Sequence, residues 1–89
     1  MNNFYGILKI EKISDVEFEY YNKCKLCYYI ICVDIDNKKD NSKFILKCEE
    51  SLIDGIYSKL KVDNYIFILG KVANNPSYNV YVKFIEFVL

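Results

Sequence analysis

In the run Leu60-Lys61-Val62-Asp63-Asn64-Tyr65-Ile66-Phe67-Ile68-Leu69-Gly70-Lys71-Val72, the residues Ile66, Ile68, Gly70 and Val72 fall on one side at a two-residue period. Tyr65, Phe67, Leu69 and Lys71 fall on the other. That period is the mark of a β-strand. Glycine weakens a strand unless a bend or a close backbone approach requires it, so Gly70 marks such a place. A strand apolar on both sides, bent at a glycine and entered through the polar turn Val62-Asp63-Asn64, suits a small closed barrel.

Outward from this run, Tyr78 to Leu89 reads as a last strand, reached through the turn Ala73-Asn74-Asn75-Pro76-Ser77. On the N-terminal side, Ser51 to Leu60 reads as a helix. Leu52, Ile53, Ile56 and Leu60 have helical spacing, Ser51 and Asp54 form a capping-box pair, and Gly55 keeps the helix short. Lys43 to Glu49 is a strand, with Phe44, Leu46 and Cys48 alternating against Lys43, Ile45 and Lys47. The polar loop Asp36 to Ser42 precedes it.

Leu26 to Ile35 is a strand rich in β-branched and aromatic residues. Cys27, Tyr29, Ile31, Val33 and Ile35 are assigned to its core side, and Leu26, Tyr28, Ile30 and Cys32 to its exterior. Residues 4–13 form a first strand with Gly6 as a bend, and the alternation slips by one before Ile13, as at a bulge. Residues 14–23 read either as a loop or as a short extension of that strand. The order is thus strand, strand, strand, helix, strand, strand within one domain, residues 1–89. It predicts an all-β chain with one short helix, folded as a five-stranded Greek-key barrel of the OB type.

The residues Ile66, Ile68, Gly70, Lys71 and Val72, entered through Val62-Asp63-Asn64, resemble the fourth strand of the bacterial single-stranded-DNA-binding proteins and the related primosomal replication protein B. Val80 to Leu89 is similar to the closing strand of that family, and Asp15 to Tyr20 to the segment after its first strand. The resemblance implies an OB-fold and binding of single-stranded DNA without sequence specificity, in replication or in a plasmid or phage accessory role. The family also uses Trp and Arg on its binding face, and this chain has neither.

Composition sets limits on the chemistry. Twelve Lys balance twelve acidic residues, and there is no Arg or His. A histidine base, a histidine metal site and an arginine finger are therefore excluded, as is the bidentate fork that grips phosphate. The aspartate pair Asp34 and Asp36 and the glutamate pair Glu17 and Glu19 have no second catalytic partner, so no enzyme is expected. Cys24-x-x-Cys27 has half the spacing of a zinc site. However, Cys27 and Cys32 point to opposite sides of one strand, so buried free thiols are expected and no cofactor. No secretory leader and no run of ~20 apolar residues is read in the sequence. Those features point to a soluble, cytoplasmic protein without membrane attachment.

A nucleic-acid site on such a barrel needs rings for bases to stack on and Lys for phosphates. The candidates are Tyr20, Tyr21, Lys23, Lys25, Tyr28, Lys43, Lys47, Lys71, Tyr78 and Tyr81. The competing structural account has the same Tyr packing the barrel or a dimer contact, and the Lys as solvated strand charges. Nine Tyr and six Phe in 89 residues exceed what a small core needs, so a homodimer is expected. Single-stranded DNA, or RNA, is the expected ligand. The rival is a protein-interaction module that uses the same fold without nucleic acid.

Overall fold

The computed structural model describes residues 2–20, 25–34 and 42–88. They form β1 (Asn3–Ile13), β2 (Glu17–Glu19), β3 (Lys25–Asp34), β4 (Lys43–Glu49), β5 (Tyr65–Val72) and β6 (Val80–Val88). Two short 3-10 turns, Glu50–Leu52 and Tyr57–Lys59, lie between β4 and β5. The strands make one mixed sheet in the order β1-β5-β6-β4-β3-β2. Because β1 also pairs with β3, the hydrogen bonds close a ring through five strands, with the short β2 added outside it. The β4–β6 pairing is parallel and the others are antiparallel. None of the described helical segments is long and apolar enough to cross a membrane.

Two bulges let this ring close. In β1 the register shifts between Ile10 and Lys12, leaving Glu11 without a partner position. Side-chain parity flips there, so Leu8, Ile10 and then Ile13 all turn inward, as the slipped alternation predicted. The strand can therefore leave β5 and pair with β3. In β6 the second shift sets Val82 opposite Gly70 and Phe84 opposite Leu69, with Lys83 as the extra residue. Parity flips again, so Val80 and Val82 face the core before the bulge and Ile85 after it.

The polar turn before β5 is tied to β1. Asp63, at φ +73°, donates its backbone N–H to the Ile10 carbonyl at 2.8 Å, and Ile10 donates to the Asn64 carbonyl at 2.9 Å. Asp is one of the few non-Gly residues that adopts this left-handed conformation as a single residue.

The helix expected over Ser51 to Leu60 does not form. Gly55 takes φ +75°, a left-handed conformation through which a right-handed helix cannot run. The capping box is also absent: Glu49 precedes the first turn and no side chain caps it. The apolar stripe keeps its purpose, since Leu52 and Leu60 are buried and Ile53 and Ile56 pack against the core. The segment thus covers the core with two 3-10 turns and not with one α-helix.

The two sides of β3 are the reverse of the expectation. Tyr28, Ile30 and Cys32 are fully buried in the core, while Tyr29, Ile31 and Val33 are half-buried on the exterior. Ile35 lies outside the described residues. The strand is apolar at both parities, so its partner decides: Tyr28, Ile30 and Cys32 lie opposite Cys48, Leu46 and Phe44 of β4. Burying Tyr28 requires a partner for its hydroxyl. It donates to the Leu52 carbonyl at 2.5 Å, and Tyr57 packs edge-on against its ring at 4.8 Å. The segment after β1, which was open between a loop and a strand extension, forms the separate strand β2 against β3. The last strand begins at Val80, two residues later than expected.

Gly70 is where β5 and β6 come closest. A Cβ at this position would meet the Tyr81 carbonyl oxygen inside any normal contact distance and Val80 Cγ1 at 3.0 Å. The obstacle is mainly backbone, which has little room to yield. Gly70→Ala is expected to destabilise the protein by about 1–3 kcal/mol, the usual range for overpacking, as read by urea unfolding. A change below about 0.5 kcal/mol would contradict this account of the glycine.

Candidate functional site

The exterior of β3, β4, β6 and β5 carries one cross-strand row of alternating rings and amines. Tyr29 lies opposite Lys47, Lys47 opposite Tyr81, and Tyr81 opposite Lys71. Residues in register on adjacent strands project from the same side of a sheet and interact directly. Two residues on from Tyr81, and so on the same side of β6, is Lys83, whose ammonium stands 4.6 Å from the centre of the Tyr81 ring.

The β5–β6 loop brings a third ring to the row. Asn79 fixes this loop to β4: its side-chain oxygen accepts from the Ile45 N–H at 2.7 Å, and its own N–H donates to the Ile45 carbonyl at 2.8 Å. Asn75 closes a turn by accepting from the Ser77 N–H at 2.7 Å, a local habit of Asn in loops. Tyr78 is thereby held with its ring 6.3 Å from that of Tyr29 and 5.2 Å from the Lys47 ammonium. Between loop and strands lies an open groove of about 390 Å³, lined by Lys71, Asn74, Asn75, Tyr78, Tyr81 and Lys83 among others.

Carboxylates reach into the same face. Lys47 is buried and ion-paired with Glu19 of β2. Burial alone would pull the Lys47 ammonium down, but the hydrogen bond and charge of Glu19 more than offset this and leave it raised. The Lys47 hydrogen bond in turn holds the Glu19 carboxyl below its ordinary range. Tyr81 donates its hydroxyl to Glu49, which pushes the phenol up to about 12, with burial adding to the shift. Elsewhere Lys43 pairs with Glu11 at 2.8 Å and Lys9 with Asp63 at 3.9 Å. Lys71 and Lys83 take part in none of these ion pairs among the described residues.

The residues singled out in the sequence therefore separate into groups. Lys47, Lys71, Tyr78 and Tyr81 share the row and its groove. Tyr20 and Lys25 are exposed at the β2–β3 edge. Lys43 lies on the exterior of β4 but is engaged by Glu11. Tyr28 is fully buried and has no face to offer a base. Tyr21 and Lys23 lie outside the described residues. Tyr29 and Lys83 were missed. Tyr29 is assigned to the core by the sequence reading, whereas Lys83 shares the side of Tyr81 by plain alternation, two residues on in β6.

The thiols divide as their parity requires. Cys32 and Cys48 sit in the core, and Cys27 is buried on the opposite side of β3, next to Glu19. Cys24 lies outside the described residues. Burial pushes the Cys32 and Cys48 thiols up to about 12, so almost no thiolate, the reactive form, exists at pH 8. Iodoacetamide at that pH should leave both unlabelled in the native protein and label both in urea, as mapped by peptide mass spectrometry. Rapid native labelling of either would contradict this burial.

Comparison with protein-family models, with curated proteins and with solved structures finds no match to this chain.

Proposed function

We propose that the five-strand ring is an OB-type barrel and that the chain binds single-stranded nucleic acid, DNA foremost, without sequence specificity. A role in replication, or an accessory role on a plasmid or phage, is the setting proposed for it. The ring order β1-β3-β4-β6-β5, with β4 and β6 parallel, favours this architecture. OB-folds take oligonucleotides on the face of their second and third strands, flanked by the loops after the first and fourth. Leaving aside the short β2, those positions correspond here to β3, β4, residues 14–16 and residues 73–79.

The observation that carries the reading is the row Tyr29–Lys47–Tyr81–Lys71, with Tyr78 above it. Stacking tolerates any base because every base has a π face, and each stacked base contributes roughly 1–3 kcal/mol. Lys71 and Lys83 flank the rings at the groove, where a backbone phosphate would lie. A chain of zero net charge binds in this way through a local arrangement of cations and not through its overall field.

Labelled oligo-dT of about 30 nucleotides, long enough for more than one site, should show saturable anisotropy that weakens with salt. Tyr78→Ala should weaken binding by about 5- to 150-fold, the equivalent of one lost stacking contact. Lys71→Ala should lower the salt dependence. No binding at tens of micromolar protein in low salt would refute the reading.

A protein contact on the adjoining exterior of β1, β5 and β6 has its own support. Tyr5, Leu69 and Phe84 lie in register across β1, β5 and β6 and are 72%, 42% and 46% exposed. Ile7 and Tyr65 extend the same apolar area. Exposed apolar patches of this kind mark interaction surfaces, and the proposed occupant is a second copy of the chain. Phe84→Glu is then expected to turn a dimer into a monomer in sedimentation equilibrium. A wild-type monomer at hundreds of micromolar would leave this face to a different protein.

A further inference from the structure

Lys47 stands at the centre of the ring-and-amine row, yet it is only 3% exposed and already paired. The group that covers it is Glu19, carried on β2. We propose that β2 is a displaceable strap and that the Glu19 carboxylate occupies the place of a backbone phosphate, which competes with it for Lys47. This rests on the single-strand reading of the face and adds its regulation.

Three observations point to the strap. First, β2 has three residues and pairs only with β3, through Glu17–Cys27, Phe18–Leu26 and Glu19–Lys25. A short outer strand opens at far lower cost than the ring behind it. Second, its rings do not anchor it: Phe18 is 57% exposed and Tyr20 79% exposed, 6.5 Å apart and both outside the core. The inward-reaching side chain of β2 is Glu19, a charged group whose burial is costly unless it is paired. Third, a crevice of about 220 Å³ already lies between strap and sheet, lined by Glu17, Phe18, Glu19, Tyr20, Cys27 and Tyr29. Its floor is Tyr29, the first ring of the row.

The exchange balances in charge. With the strap closed, one carboxylate neutralises Lys47; with the strap open, one phosphodiester does so and Glu19 is released to water. Lys47 never remains buried and unpaired, which would be the expensive state. The carboxylate also rejects weak anions, because a ligand must offer enough stacking on Tyr29, Tyr78 and Tyr81 to make the exchange favourable.

The test compares wild type with Glu19→Gln, titrating labelled dT30 at several salt concentrations. Removing the competing charge should tighten binding several-fold while leaving the salt dependence close to that of wild type, because Lys47 meets a phosphate in both complexes. Adding Lys47→Met to Glu19→Gln should abolish that gain. Hydrogen exchange of the wild-type protein provides an independent readout, including the case in which Glu19→Gln fails to fold. On addition of dT30, the amides of the β2–β3 pairing should exchange faster while those of β4 and β5 do not. Equal or weaker binding by a folded Glu19→Gln variant, or greater protection of β2 with dT30, would overturn the strap while leaving the binding face intact. Failure of both proteins to bind would overturn the binding reading and the strap with it.

Discussion

The close approach of β5 and β6 at Gly70 is the constraint from which the remaining architecture follows. With no Cβ at that position, the β6 backbone lies directly against β5, beside Val82 and next to the Tyr81 carbonyl. This contact fixes the register in which Lys71 faces Tyr81 and Val72 faces Val80. From there β6 also reaches the parallel pairing with β4 that sets Lys47 opposite Tyr81. Two residues on from Tyr81, Lys83 stands over the Tyr81 ring from the same side of β6. A side chain at position 70 would separate the two strands at the point where the row of rings and amines is assembled.

The exterior that results is divided in character. On the side of β3, β4 and β6 it is polar and aromatic, with Lys47 and Lys43 paired to carboxylates. On the side of β1, β5 and β6 it is apolar, with Tyr5, Leu69 and Phe84 exposed in one line. The first suits a ligand with flat faces and regularly spaced charges, and the second suits a protein surface. A small chain with 17% aromatic residues cannot bury them all, because surface grows relative to volume as a domain shrinks. Here the excess is distributed between two surfaces of different chemistry. The carboxylates Glu19 and Glu49 explain how the first of these coexists with a net charge of zero: each already engages a cation or a phenol of the row.

Much of the fold was legible in the sequence because alternation and turn chemistry agreed. The strand from Tyr65 to Val72, its polar entry turn, the bulge before Ile13 and the special status of Gly70 were all visible. Three features were hidden, each for a physical reason. The sides of β3 could not be ranked, since Cys27 to Val33 is apolar at both parities and only the pairing with Leu46 and Cys48 makes the choice. Residues 51–60 have a helical stripe, but a positive φ at Gly55 overrides it, and burial of Leu52 and Leu60 does not need a helix. Of the site, Lys71, Tyr78 and Tyr81 were recognisable as rings and amines near the glycine strand. Tyr29 was hidden by the parity of β3 and the engagement of Lys47 by the fact that its partner Glu19 is 28 residues away, whereas Lys83, two residues from Tyr81, was within reach of simple alternation.

The central claim is that a single strand lies along the row from Tyr29 to Lys71, and its contacts can be mapped by photocrosslinking. Oligo-dT containing 5-iododeoxyuridine, irradiated with the protein and analysed by peptide mass spectrometry, reports which side chains touch bases. The account predicts adducts at Tyr29, Tyr78 and Tyr81. Adducts confined to Tyr5 and Tyr65, on the apolar side of the ring, would contradict it.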